Sequence, residues 1–198
     1  AGIFLTRLRD DGRPVNRMAA IKRDYEATGG TFIEYNEPKE IFPGVWLTGP
    51  IARKYPERNW SGSGLLRTAD GRTVEDNIPE DQSLVIDTDQ GLVVITGCGH
   101  AGIVNICDYA RAKIRNASVY AVLGGLHLYE ANDETLAWTG ARLKDFGLQN
   151  LLGAHCTGIE AVYELRRLTG LARKTAAVGA VGGGFTLAQG LDPGSISQ

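Results

Sequence analysis

The apolar residues of this chain fall into two unlike parts, divided near residue 82. Beyond that point the pattern is dense and regular. Ser83–Thr88 (SLVIDT) and Gly91–Thr96 (GLVVIT) are short apolar runs parted by Asp89-Gln90, which predicts a hairpin of two buried strands. Residues 101–116 carry Ile103, Ile106, Cys107 and Ala110 at helical spacing. Val119–Leu123 reads as a strand, and Asn132 is a good N-cap for a helix carrying Leu136, Trp138, Ala141 and Phe146. A short strand at Leu151–Gly153 precedes a helix that starts at Thr157 or Gly158 and carries Val162, Leu165 and Leu168. Ala176–Val181 and Gly184–Leu187 then read as two strands around a Gly182-Gly183 turn. The order β-β-α-β-α-β-α-β-β is a mixed α/β layout.

Residues 1–82 are polar and irregular, with Pro14, Pro38, Pro43, Pro50, Pro56 and Pro79 among them. Val45–Thr48, after the Pro43-Gly44 turn, is the one clear strand there. Segment 57–76 reads as a polar loop or insertion, a length that is functional or mobile more often than not. Trp60 near its start is either a substrate-facing aromatic or a local anchor. The expected organisation is one incomplete domain over 1–198: an irregular region 1–82, an α/β half 83–189, and a frayed Gly/Pro/Ser-rich tail 190–198.

Composition narrows the function classes. Apolar residues make up 43% and charged residues 22%, ordinary globular usage. A net charge of −2 gives no electrostatic footprint for nucleic acid. No apolar run reaches the ~20 residues of a membrane span, so a soluble protein is expected. The start, Ala1-Gly2-Ile3, has no charged-then-apolar leader and is expected to be a processed end, which leaves the compartment unread. Three cysteines (Cys98, Cys107 and Cys156) at long spacings do not make a disulfide framework, and Cys107 is expected to be a packed thiol.

The candidate chemistry lies in the three histidines, His100, His127 and His155. Each follows a predicted strand and a glycine, and they are spaced 27 and 28 residues apart, about one strand-plus-helix unit. In an α/β layout the C-terminal ends of parallel strands lie along one sheet edge, so residues just past them converge. Three converging imidazoles suit a divalent metal such as zinc. The competing reading is three separate loop histidines, each hydrogen-bonded locally.

The run Val94-Ile95-Thr96-Gly97-Cys98-Gly99-His100-Ala101-Gly102-Ile103-Val104-Asn105 resembles the third metal motif of metallo-β-lactamase-fold proteins. It is similar in particular to the branch labelled 7,8-dihydropterin-6-methyl-4-(β-D-ribofuranosyl)aminobenzene-5′-phosphate synthase-like. Gly124-Gly125-Leu126-His127-Leu128, Gly153-Ala154-His155-Cys156-Thr157-Gly158 and Glu40–Gly49 match other segments of that branch. The resemblance implies part of a four-layer αββα sandwich, its C-terminal half plus an irregular insertion. It also implies a site for one or two metal ions, zinc first, with Mn²⁺ or iron compatible. His100 would hold the first metal and His155 the second. His127 stands where many relatives place a bridging aspartate, as a ligand or as a catalytic group that orients substrate or moves a proton. The implied activity is hydrolysis of an ester, lactone or phosphodiester bond in a small molecule, because zinc lowers the pKa of its water to about 7 and so supplies hydroxide at neutral pH. Helix N-termini after His100 and His155 would help bind an anion, and Thr157 would cap the last helix or touch substrate.

One departure matters. The family's His-x-His-x-Asp-His run is absent, and no histidine remains to replace it. Either the chain is a fragment of the whole, or a second chain or a missing N-terminal segment completes the fold, or it is a non-catalytic remnant. A half-sandwich exposes an apolar sheet face, so a partner segment or a homo-oligomer is expected. Two other readings compete. Cys98 and Cys156, each close to a histidine in sequence, would serve a thiol enzyme. The run Gly179–Gly184 is glycine-rich, but no helix follows it as a dinucleotide site requires.

Overall fold

The computed structural model describes residues 2–9, 11–59 and 64–194. The first part holds a 3₁₀ turn (Gly2–Phe4), strands β1 (Thr6–Leu8) and β2 (Pro14–Val15), helix α1 (Arg17–Glu26), and strands β3 (Lys39–Phe42), β4 (Val45–Leu47), β5 (Leu65–Arg67) and β6 (Thr73–Glu75). The second part runs β7 (Ser83–Thr88), β8 (Gly91–Thr96), α2 (Ile103–Lys113), β9 (Val119–Gly124), α3 (Asp133–Asp145) and β10 (Asn150–Gly153). It continues with a 3₁₀ turn (His155–Thr157), α4 (Ile159–Thr169), β11 (Ala176–Val178), β12 (Gly184–Thr186) and β13 (Gly190–Asp192). No helix among the described residues is long and apolar enough to cross a membrane.

Seven strands form the main sheet in the order β11-β10-β9-β8-β7-β4-β3. From β8 to β11 the pairing is parallel, with helices as crossovers, and from β8 to β3 it is antiparallel. Because side chains alternate between faces along a strand, the register creates two apolar rows. Trp46, Val85, Val94, Val122, Leu151 and Ala176 lie across one another on the face that α2, α3 and α4 cover, and all but Trp46 are buried. Each buried Val or Leu contributes roughly 1.5–3 kcal/mol of transfer free energy. One residue along, Leu47, Leu84, Ile95, Leu123, Leu152 and Ala177 line up on the opposite face, where only Leu152 is buried. The sheet therefore has one closed face and one half-covered face.

The predicted helices and strands of the second part are present, with bounds shifted by a few residues. The first part is more ordered than its polarity suggests. Within the expected loop 57–76, β5 and β6 pair with each other, and β5 pairs with β1 in a second sheet of order β2-β1-β5-β6. Arg7 Nε donates to Asp76 at 2.6 Å and Arg7 Nη2 to Glu80 at 2.5 Å, tying that sheet to the approach to β7. Helix α1 has no buried residue, so no apolar stripe announced it; Asn16 caps it by accepting from Ala19 N. Strands β3 and β4, from the polar part, complete the main sheet. At the other end, Gly190–Asp192 is β13 in a hairpin with β12, so order extends into the segment expected to fray.

Candidate metal centre

The three histidines do reach one sheet edge. His100 follows β8, His127 follows β9 and His155 follows β10, three adjacent parallel strands. Their backbone is unusual: His127 and His155 have φ of 49° and 52°, the left-handed region that non-glycine residues rarely enter. Such conformations cost of order 1 kcal/mol and persist where the surroundings enforce them. The turns depend on close backbone approach. A Cβ on Gly124 would stand 2.1 Å from the Thr96 carbonyl oxygen, and one on Gly125 would stand 2.3 Å from that of Gly97. Thr96 Oγ1 bonds to the Gly125 carbonyl at 2.7 Å, closing the β8 and β9 ends onto each other.

The site then divides. On one side the His100 and His127 rings lie 4.5 Å apart between centroids, with Tyr129 edge-on to His127 at 5.3 Å. On the other, the Cys98 and Cys156 sulfurs and a His155 ring nitrogen all lie within 4.8 Å of one another, with Cys98 Sγ 3.5 Å from His155 Nδ1. The thiols thus group with His155, which places Cys98 with the residue after β10 and not with its sequence neighbour His100. Cys98 is pushed up to about 11 by burial and by Cys156, which leaves it protonated at neutral pH and weakens the thiol-enzyme reading. Cys107 is fully buried on the inner face of α2, a packed thiol.

His100 Nδ1 lies 2.7 Å from the Asn59 carbonyl oxygen. A carbonyl only accepts, so Nδ1 carries the hydrogen and Nε2 of the neutral ring keeps its lone pair, the tautomer a metal ligand needs. His127 Nδ1 is buried and, among the described residues, has no hydrogen-bond partner. Burial, then the neighbouring His100, lowers the His127 pKa below its ordinary value, which keeps the ring neutral. An orphaned imidazole nitrogen, a second imidazole held by its far side, and thiols beside a third form a donor set that fits a zinc-type ion.

Segment 53–59 holds this edge from outside and was not legible as a functional element. Asn105, buried at the start of α2, accepts from the N–H groups of Lys54 and Tyr55 at 2.8 and 2.7 Å and donates to the carbonyls of Tyr55 and Ala101. Glu57 accepts from the N–H groups of Val104 and Asn105 at 3.1 and 2.7 Å. Asn59 donates to the Leu126 carbonyl at 3.0 Å while its own carbonyl receives His100. Burial pushes the Glu57 carboxyl up to about 7 despite those two N–H donors. The expectation that the α2 N-terminus would bind an anion is corrected here: two of its N–H groups already belong to Glu57. The one sequence signal was Gly102, the α2 N-cap, which supplies no side-chain cap and whose Cβ would collide with Glu57.

Thr157 is buried, and its hydroxyl accepts from Leu126 N at 3.0 Å and donates to the Ala154 carbonyl at 2.8 Å. Helix α4 has no side-chain cap at its N-terminus, so Thr157 ties the His127 and His155 turns together in place of capping. Trp60 lies outside the described residues. A cleft of about 560 Å³ opens beside His127, between the 56–59 segment and the start of α3, with Arg58, Tyr129 and Trp138 in its walls.

A sheet that delivers one histidine from each of three adjacent parallel strands fits the fold that the resemblance implies, and a solved protein that this chain is similar to is described as a member of the β-lactamase superfamily. Among solved structures it is similar to Tm1679, described as a metal-dependent hydrolase of the β-lactamase superfamily, with a TM-score of 0.61 and 31% identity over 71% of this chain and 53% of that one. Among curated proteins it is similar to the 7,8-dihydropterin-6-methyl-4-(β-D-ribofuranosyl)-aminobenzene-5′-phosphate synthase of Methanocaldococcus jannaschii, 34% identical over 143 residues, which are 71% of this chain and 49% of that protein. An uncharacterised protein of the same organism is 28% identical over 135 residues, 67% of this chain and 47% of its own. The chain spans about half the length of the curated relatives it matches. No protein-family model matches it.

Proposed function

We propose that this chain carries part of the metal centre of a metal-dependent hydrolase, with His100 and His155 as ligands and His127 as a third ligand or a proton-carrying group. The observation that carries this reading is the strained, left-handed backbone at both His127 and His155 beside a His100 ring already fixed in the ligand tautomer. Zinc suits imidazole donors, with Mn²⁺ or iron as alternatives, and when bound it supplies Lewis acidity and a nucleophile at neutral pH. The chain's own part is to hold and orient. Asn59 fixes the His100 ring, and the neutral His127 at the cleft mouth can accept or return a proton. The cleft suits a small molecule carrying an ester, lactone or phosphodiester. Proteins similar to this chain are named as a synthase and as a hydrolase, and we take hydrolysis because the structural neighbour is described as one.

A non-catalytic fragment is the second reading, favoured by one observation: three histidines are all that the chain has. Metal content of the freshly purified chain, read by plasma mass spectrometry, separates the two. One to two zinc equivalents, falling in His100→Ala, support the hydrolase reading. Near-zero metal, with no hydrolysis of model esters or phosphodiesters after zinc is added, sinks it.

A further inference from the structure

We propose that Cys98, His155 and Cys156 form a soft-metal site of their own, a two-thiolate, one-imidazole zinc site with an open fourth position. The inference rests on the reading above only for the role of His155; neither thiol belongs to that reading.

The geometry points there. Zinc binds sulfur at about 2.3 Å and imidazole nitrogen at about 2.0–2.1 Å in a tetrahedron. Those lengths place a sulfur and a nitrogen ligand roughly 3.6 Å apart. Cys98 Sγ and His155 Nδ1 lie 3.5 Å apart, so this edge of the tetrahedron is already drawn. All three donor atoms lie within 4.8 Å of one another, a span that a small inward movement closes. Backbone packing holds the thiols there: Cys156 Sγ lies 3.5 Å from the Cys98 carbonyl, and a Cβ on Gly125 would meet both Cys156 Sγ and Cys98 Cα at about 3 Å. The His155 ring, the third donor, is set by its left-handed backbone.

Exposure gives the site its character. His155 is exposed and both cysteines are half-exposed, so the fourth position faces solvent. Three protein ligands with an open position are the pattern of zinc sites that do chemistry, whereas structural sites close all four. Loading is a proton exchange without electron transfer: each thiol passes its proton to solvent as its sulfur binds, and zinc has no redox step. A coordinating cation deprotonates a thiol outright.

Cobalt(II) tests this on the reduced, chelator-stripped chain, because thiolate–cobalt charge transfer in the near-ultraviolet reports sulfur ligands without any activity measurement. The expected result is a charge-transfer band that saturates at one equivalent. It should fall to about half in Cys98→Ser and in Cys156→Ser, vanish in the double variant and persist in His100→Ala. Circular dichroism of each variant checks that it is folded, and zinc release from the loaded wild type by a mercurial thiol reagent gives the same answer without mutation. Cobalt bound with no such band overturns the site and leaves the histidine-based reading standing. A band unchanged in both serine variants also overturns it. A single cobalt held with the full band in the His100→Ala, His127→Ala double variant supports the site and counts against His100 and His127 as ligands. No cobalt bound at all overturns both.

Discussion

His127 and His155 occupy backbone space that an L-residue enters at a cost, and that cost is a property of single residues with measurable consequences. Asparagine tolerates the left-handed region well. His155→Asn, at an exposed position, should leave stability unchanged or raise it by up to about 1 kcal/mol while metal binding falls; denaturant midpoints and metal content read the two effects separately. Glu57 offers a second test at this scale. Its folded pKa of about 7 stands above the ordinary 4.5 of a glutamate, so between those values the folded chain holds a proton that the unfolded chain has released. Its contribution to stability is therefore greatest below about 4.5, is lost as pH rises through about 7, and is flat beyond. The wild type should lose stability between pH 5 and pH 8 relative to Glu57→Gln, and parallel pH profiles of the two proteins would refute the assignment. Glu57→Ala, which leaves the α2 N–H groups without an acceptor, should cost about 1–2 kcal/mol.

Among the elements, segment 53–59 does the most for the site with the least regular structure. Its order comes from polar side chains that bond across 41 to 67 residues of sequence to α2 and to the β9 turn. Asn105 is the hub of this arrangement: it is buried and bonds through both ends of its amide. Asn105→Ala should cost at least about 2 kcal/mol, because buried backbone partners lose their bonds, and chemical denaturation measures it. Asn59→Ala keeps the main-chain carbonyl that receives His100 but removes the side-chain bond to Leu126 that steadies it, so it should weaken metal binding by up to about tenfold, with little change in the fold. Isothermal titration with zinc would show it.

For the molecule as a whole, the main sheet has one face sealed by three helices and one face where Leu47, Leu84, Ile95 and Leu123 stay half-covered. Soluble proteins seldom leave such a row open to water. We expect the chain to associate through this face with a second copy of itself. Light scattering after size exclusion should find species larger than the monomer, shifted toward the monomer in Ile95→Lys. A wild type that stays monomeric at all concentrations would contradict this.

Much of the second part was legible in the residues themselves. Strands β7 and β8, helices α2 to α4 and the three strand ends that carry histidines follow from local periodicity and from glycines at turns, both short-range properties. From those alone the α/β layout and the delivery of the three histidines to one sheet edge could be read. Tertiary structure decided the rest, because it depends on contacts between residues far apart in the chain. The polar β5–β6 hairpin is ordered by pairing with β1, and α1 has no buried stripe to betray it. Glu57 and Asn59 look like loop residues until α2 and the His127 turn lie against them. The grouping of the thiols was hidden for the same reason. Cys98 is near His100 in sequence, yet its sulfur lies 3.5 Å from His155 Nδ1, 57 positions away, because the turns after the parallel strands β8, β9 and β10 gather at one sheet edge.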